Sequence, residues 1–274
     1  MPELDLAELT AQSLDRIRER TPLIHNITNF VVMNDTANVL LAFGASPVMA
    51  HAVEEVREMV AYAGALVLNI GTLEDSWIEA MLIAGEEANA RGIPVVFDPV
   101  GVGATTLRTT TTERIRLGVR VAVVRGNAAE LAAIAGMEAR IRGVDSVASG
   151  DPASAARLAA VRFGGTAVVS GAVDYVSDGS RVAEIHNGHP LMGRITGSGC
   201  MATATVGAFL AVESDPFLAA TEAMIAFGIA GELASERSGG PGTFRAQLMD
   251  AVAALDEATI RVRTRALLRE AQPA

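Results

Sequence analysis

Short apolar runs alternate along the chain with longer stretches whose apolar residues recur every three or four positions. Residues 65–70, 94–97, 121–124 and 166–169 are runs of the first kind, and only Asn69 interrupts the first of them. Each closes on a polar or glycine-bearing turn: Gly71-Thr72, Asp98-Pro99-Val100-Gly101, Arg125-Gly126-Asn127 and Ser170-Gly171. Two shorter runs come earlier, at 23–25 before the turn 26–29 and at 47–49. Runs this short and this apolar are what a strand buried on both faces requires. The intervening stretches predict helices. Leu6, Leu9, Leu14 and Ile17 share one face of 4–20, which Pro22 ends. Helices follow at 30–43 (stopping near Gly44), 52–63, 74–91, 128–136 and 152–163, with a Gly/Ser-bearing connection between the last two. A hairpin is expected at 173–177 and 181–186, with Asp178-Gly179 at its turn. From Cys200 onward the chain reads as two or three long Ala-rich helices reaching 268.

This alternation defines an α/β fold: a mostly parallel central sheet with helices on both faces. The 274 residues show no repeat, low-complexity tract or linker, so one domain over 1–274 is expected. Aromatic residues are only 4% of the chain, and small aliphatic side chains and glycine fill the interior. That suits close packing of helices on a sheet better than a β-sandwich. The formal charge of −10, without a basic run, disfavours nucleic acid and anionic membranes as partners. Cys200 is the lone cysteine, so no disulfide can form within the chain, and a reducing cytoplasm is the expected location. The opening MPELDLAELTAQ lacks the apolar core of a signal peptide. No run of about 18 uninterrupted apolar residues suggests a membrane span.

Ligands of such sheets bind at the carboxyl ends of the strands, which directs attention to the turns. The strongest local feature is Gly193-Arg-Ile-Thr-Gly-Ser-Gly-Cys200, leading into a helix at 201–212. Its glycines let the backbone approach a ligand, and the first amides of the helix face any anion placed there. No Lys-Ser/Thr follows at Walker A spacing. Asp98, Asn127 and Glu130 stand at neighbouring strand ends and suit Mg²⁺, which prefers oxygen ligands. Asp98 is equally a turn residue before Pro99, and Asn127 with Glu130 is equally a capping box. Arg125 offers a fork to phosphate and Ser170 a hydroxyl. His25, His51, His186 and His189 lack metal-ligand spacing and are expected to be structural or exposed.

In their order along the chain, the segments 22–29, 45–49, 68–72, 98–101, 124–130 and 196–200 resemble the ribokinase-like superfamily, and more closely the hydroxyethylthiazole kinase family. The resemblance implies a ribokinase-like three-layer sandwich. It implies ATP-dependent phosphorylation of 4-methyl-5-(2-hydroxyethyl)thiazole for thiamine synthesis, with Mg²⁺, in a cytoplasmic homotrimer whose thiazole sites lie between subunits. It places Asn26, Met49, Gly71 and Gly197 at the thiazole. Arg125, Ser170 and Asn127 fall at ATP, and Asp98 and Glu130 at the metal. The turn Gly197, Ser198, Gly199 and Cys200 falls at the reacting groups. Ser170 and Ser198 stand where Thr is common, and both keep a hydroxyl. Related sugar and pyrimidine kinases and nicotinamide-hydrate repair enzymes usually carry Asp at the Cys200 position, which sets this chain apart from them. A sensor that binds without turnover is the alternative of another class. Cys200 is the candidate base, with a thiol pKa lowered by the helix N-terminus.

Overall fold

The computed structural model describes residues 4–137 and 151–270. The connection expected between 136 and 152 lies largely outside these residues, as does Met1–Glu3. Nine strands form one sheet: β1 (Leu23–Ile27), β2 (Ser46–Val48), β3 (Ala65–Asn69), β4 (Val95–Asp98), β5 (Val123–Asn127), β6 (Thr166–Ser170), β7 (Asp174–Ser177), β8 (Arg181–Ile185) and β9 (Ala266–Glu270). Their order is β2-β1-β3-β4-β5-β6-β7-β8-β9. Every pair from β2 to β6 is parallel, and the pairs from β6 to β9 are antiparallel.

Alternation along the strands separates two cores. Val67, Val96, Val123 and Val168 face one layer, while Leu66, Leu68, Phe97, Val124 and Val169 face the other. The first layer contains α1 (Leu6–Arg20), α2 (Met33–Phe43), α8 (Ser198–Leu210), α9 (Pro216–Glu236), α10 (Pro241–Ala253) and α11 (Glu257–Arg263). The second contains α3 (Val56–Val60), α4 (Asp75–Arg91), α5 (Thr106–Gly118), α6 (Ala128–Ile134) and α7 (Pro152–Phe163). Helix α9 is long and apolar enough to cross a membrane, but 83% of its apolar window is buried inside the protein, where it serves as a core helix. Helix α8 packs so closely that a Cβ on Gly207 would stand 2.7 Å from Val67 Cγ2.

Several boundaries differ from the sequence reading. Strand β1 runs to Ile27, which takes Asn26 out of the turn and into the sheet. Helix α2 begins at Met33 rather than residue 30, because Asn29 Oδ1 accepts the Val31 amide at 3.2 Å and holds a turn there. Helix α8 begins at Ser198, so Cys200 lies in its first turn. The region after 200 holds four helices rather than two or three, and its end is not helical: residues 266–270 form β9, paired with β8. Helix α5 was not anticipated.

The strand order reverses at β1. The chain leaves β1 for β2 on one side and returns to β3 on the other. A crevice therefore opens between the carboxyl ends of β1 and β3, the position where open α/β sheets bind ligands.

Candidate active site

Five side chains meet at that crevice. Asn29, just beyond β1, donates through Nδ2 to Asn69 Oδ1 at 2.8 Å. Asn69, ending β3, donates through Nδ2 to Asp98 Oδ2 at 2.9 Å. Thr203 on α8 donates to the same oxygen at 2.7 Å. The Cys200 Sγ lies 3.2 Å from Asn69 Nδ2 and 3.5 Å from Asn29 Nδ2. Two asparagines thus tie the start of α8 to the ends of β1, β3 and β4. The approach is tight: a Cβ on Gly71 would stand 2.6 Å from Asn29 Nδ2, so glycine is required there.

Asp98 is 2% exposed. Burial raises its pKa to about 6, although the Arg125 charge and the hydrogen bonds from Thr203 and Asn69 oppose the rise. Burial likewise pushes the Cys200 thiol up to about 11, with the Asp98 charge adding to it. This reverses the sequence expectation. A helix N-terminus favours a thiolate, but desolvation and a neighbouring carboxylate outweigh it here.

Gly197 caps α8 with φ +88°, the left-handed region that favours glycine, and a Cβ there would stand 2.8 Å from Val32 Cγ1. The first helical amides, from Ser198 to Cys200, have no acceptor within the helix and so are available to an anion. Arg125 ends close by: its Nη1 would be 2.7 Å from a Cβ on Gly199, and its Nη2 donates to Ser170 Oγ at 2.6 Å. Arg125, Ser170, Ser198 and Gly199 line one cavity of about 480 Å³.

The capping box at Asn127 is present. Asn127 Oδ1 accepts the Glu130 amide at 2.9 Å, and Glu130 Oε2 accepts the Asn127 amide at 2.8 Å. Glu130 Oε1 accepts the Gly101 amide at 2.8 Å, which links the β4 and β5 loops. Each Glu130 oxygen therefore holds one amide and keeps a further lone pair. No group of three His, Cys, Asp or Glu side chains able to enclose a metal occurs among the described residues. The hard oxygens of Asp98 and Glu130 fit Mg²⁺ of the kind held by one or two carboxylates, water and substrate phosphates, rather than a protein cage.

Of the remaining expected residues, Met49 is half-buried just after β2. Asn26 is buried, with Nδ2 donating to the Ile24 carbonyl at 2.8 Å and Oδ1 without a partner among the described residues. His25 is buried, its Nε2 2.8 Å from the Ala50 carbonyl oxygen, a structural placement. Sequence reasoning gave no role to Asn29, Asn69, Thr203 or Arg108. Asn69 carried a signal as the polar residue inside an apolar run. Arg108 on α5 donates to the carbonyls of Ile70 at 2.8 Å, Gly71 at 2.8 Å and Val100, clamping the loops after β3 and β4. Only an anticipated α5 would have revealed it.

A three-layer sandwich with a helix start at its switch point is the ribokinase-like α/β fold, which small-molecule kinases share. A pyridoxal kinase from Staphylococcus aureus, solved with AMP-PCP and pyridoxal, shares that fold at 15% identity, with a TM-score of 0.59 over 91% of this chain and 99% of that one. The model of the hydroxyethylthiazole kinase family matches residues 14–258, and the chain belongs to that family. Hydroxyethylthiazole kinase of Desulfotalea psychrophila is 54% identical over 88% of this chain and 89% of its own. The solved hydroxyethylthiazole kinase protein of Pyrococcus horikoshii is 47% identical, with a TM-score of 0.88 over 97% of this chain and 100% of that one.

Proposed function

We propose that the protein transfers the terminal phosphoryl group of ATP to the hydroxyl of 4-methyl-5-(2-hydroxyethyl)thiazole, making its phosphate for thiamine synthesis. The observation that carries this reading is the joining of two features at one helix start. The cavity of Arg125 and Ser170 opens beside Ser198 and Gly199, and the Asn29–Asn69–Asp98 network meets Cys200 in the same turn.

Arg125, Ser170 and Asn127 bind the nucleotide. Asn26, Met49, Gly71 and Gly197 bind the thiazole. The amides of Gly197, Ser198, Gly199 and Cys200 stabilise charge on the transferring group, which carries most of the catalysis in a loose transition state. Asp98 and Glu130 support Mg²⁺, whose chemistry is to neutralise the phosphate oxygens. Cys200, protonated at neutral pH, positions the hydroxyl, which keeps its proton until late in transfer and then gives it to an oxygen of the transferred phosphoryl group. The active form is a cytoplasmic homotrimer with shared thiazole sites, a reading supported by Phe30 and Val31, which are 54% and 64% exposed beside the crevice.

An acceptor panel tests the assignment. With ATP and Mg²⁺, kcat/KM for the thiazole alcohol is expected to exceed that for pyridoxal, a hydroxymethylpyrimidine and ribose by about a hundredfold or more. Equal or better turnover of another alcohol overturns the substrate.

A further inference from the structure

The cavity beside α8 has a chemically mixed lining. Arg125 and the helix start supply donors, and Pro190, Met224 and Phe227 supply apolar surface. Most of its polar lining is already committed. Asn187 Nδ2 donates to Glu232 Oε1 at 3.0 Å and to the Arg263 carbonyl at 2.8 Å, and its Oδ1 accepts the Arg265 amide at 2.9 Å. His189 Nδ1 accepts the Leu191 amide at 3.2 Å. The Ser170 hydroxyl is held between Arg125 Nη2 and the Gly126 carbonyl, at 2.6 and 3.3 Å.

Asp174 differs. It opens β7 and lines the cavity, yet is only 8% exposed. Its Oδ1 accepts the Gly171 amide at 2.8 Å, while Oδ2 takes no hydrogen bond from the described residues and is open rather than sealed in the interior. Burial raises its pKa to about 6, with the Gly171 amide and the Arg125 charge pulling it back, so it is ionised above neutral pH. A carboxylate oxygen open to a cavity gains from a hydrogen-bond donor placed there. It repels phosphate and gains nothing from the face of a base. Across the β6–β7 pair it lies beside Ser170, one strand farther from Arg125. Between the phosphates and the base of a nucleotide lie the ribose hydroxyls, which are neutral donors suited to a carboxylate.

We propose that Asp174 binds the ribose of the phosphate donor, its free carboxylate oxygen accepting a hydrogen bond from a sugar hydroxyl, and so selects ribonucleotides over deoxyribonucleotides. This rests on the nucleotide reading of the cavity given above. The test is calorimetric binding of ATP, 2′-deoxy-ATP and 3′-deoxy-ATP to the full-length protein and to Asp174→Ala. The parent binds at least one deoxynucleotide about tenfold or more weakly than ATP, and the variant loses that discrimination. Equal binding of all three by the parent overturns the proposal without needing a variant that folds. Undiminished discrimination by a folded Asp174→Ala also overturns it, while ATP binding in either case leaves the nucleotide reading intact. Failure of the parent to bind ATP removes both.

Discussion

The thiol of Cys200 illustrates how one position is governed by its neighbours rather than by its place in a motif. Its helix start was legible in the sequence, but the two buried asparagines and the Asp98 carboxylate around it come from three different strand ends. With its pKa at about 11, the thiol stays protonated between pH 6.5 and 9. Cys200→Ala is therefore expected to lower kcat by about tenfold or less, short of the 10²–10⁴ typical of a general base. Steady-state rates against pH check this, and a folded, ATP-binding but inactive variant contradicts it. Asp98 carries a linked prediction. Its pKa is about 6 when folded against an ordinary 3.8, so the folded chain holds this proton more tightly than the unfolded one. Its contribution to stability is full below about pH 4 and is lost as pH rises through about 6. Asp98→Asn, which retains an acceptor for Thr203 and Asn69, is expected to melt higher than the parent at pH 8, with the gap closing toward pH 4. Its phosphoryl transfer should be impaired. Lower thermal stability of Asp98→Asn at pH 8 runs against this account.

At the level of elements, legibility followed how local the cause was. The parallel strands were readable because each is a short apolar run that closes on a turn. Helix α5 escaped because its sequence, TLRTTTTERIRLG, lacks an apolar stripe; Thr111, Thr112 and Ile115 are its buried residues. Strand β9 escaped because ALLRE follows Ala-rich helices and is good helix sequence; its strand character comes from pairing with β8, some eighty residues distant in the chain. The missed helix matters to the site through Arg108 and its three carbonyl acceptors. Removing this half-buried, charge-assisted clamp frees the Gly71 and Val100 loops. Arg108→Ala is expected to raise KM for the thiazole by about tenfold and to lower Tm by several degrees, corresponding to about 1.5–3 kcal/mol. An unchanged KM in a destabilised variant would restrict Arg108 to holding the fold.

In the whole molecule the proposed nucleotide cavity and thiazole crevice meet across the first turn of α8. The purified chain is expected to elute at three times its 28.4 kDa mass, and a monomer with full activity would remove the shared site. The composition and charge narrowed the partners early, and the strand-end rule located the crevice. The Asn29–Asn69–Asp98 connection needed the fold, because it spans residues far apart in sequence. The most direct measurement is ADP formation by the purified protein with ATP and Mg²⁺, in the presence and absence of 4-methyl-5-(2-hydroxyethyl)thiazole, with the product identified by mass. Thiazole-dependent ADP release matched by stoichiometric thiazole phosphate is the expected result. Folded, ATP-binding protein that yields no thiazole phosphate would contradict it.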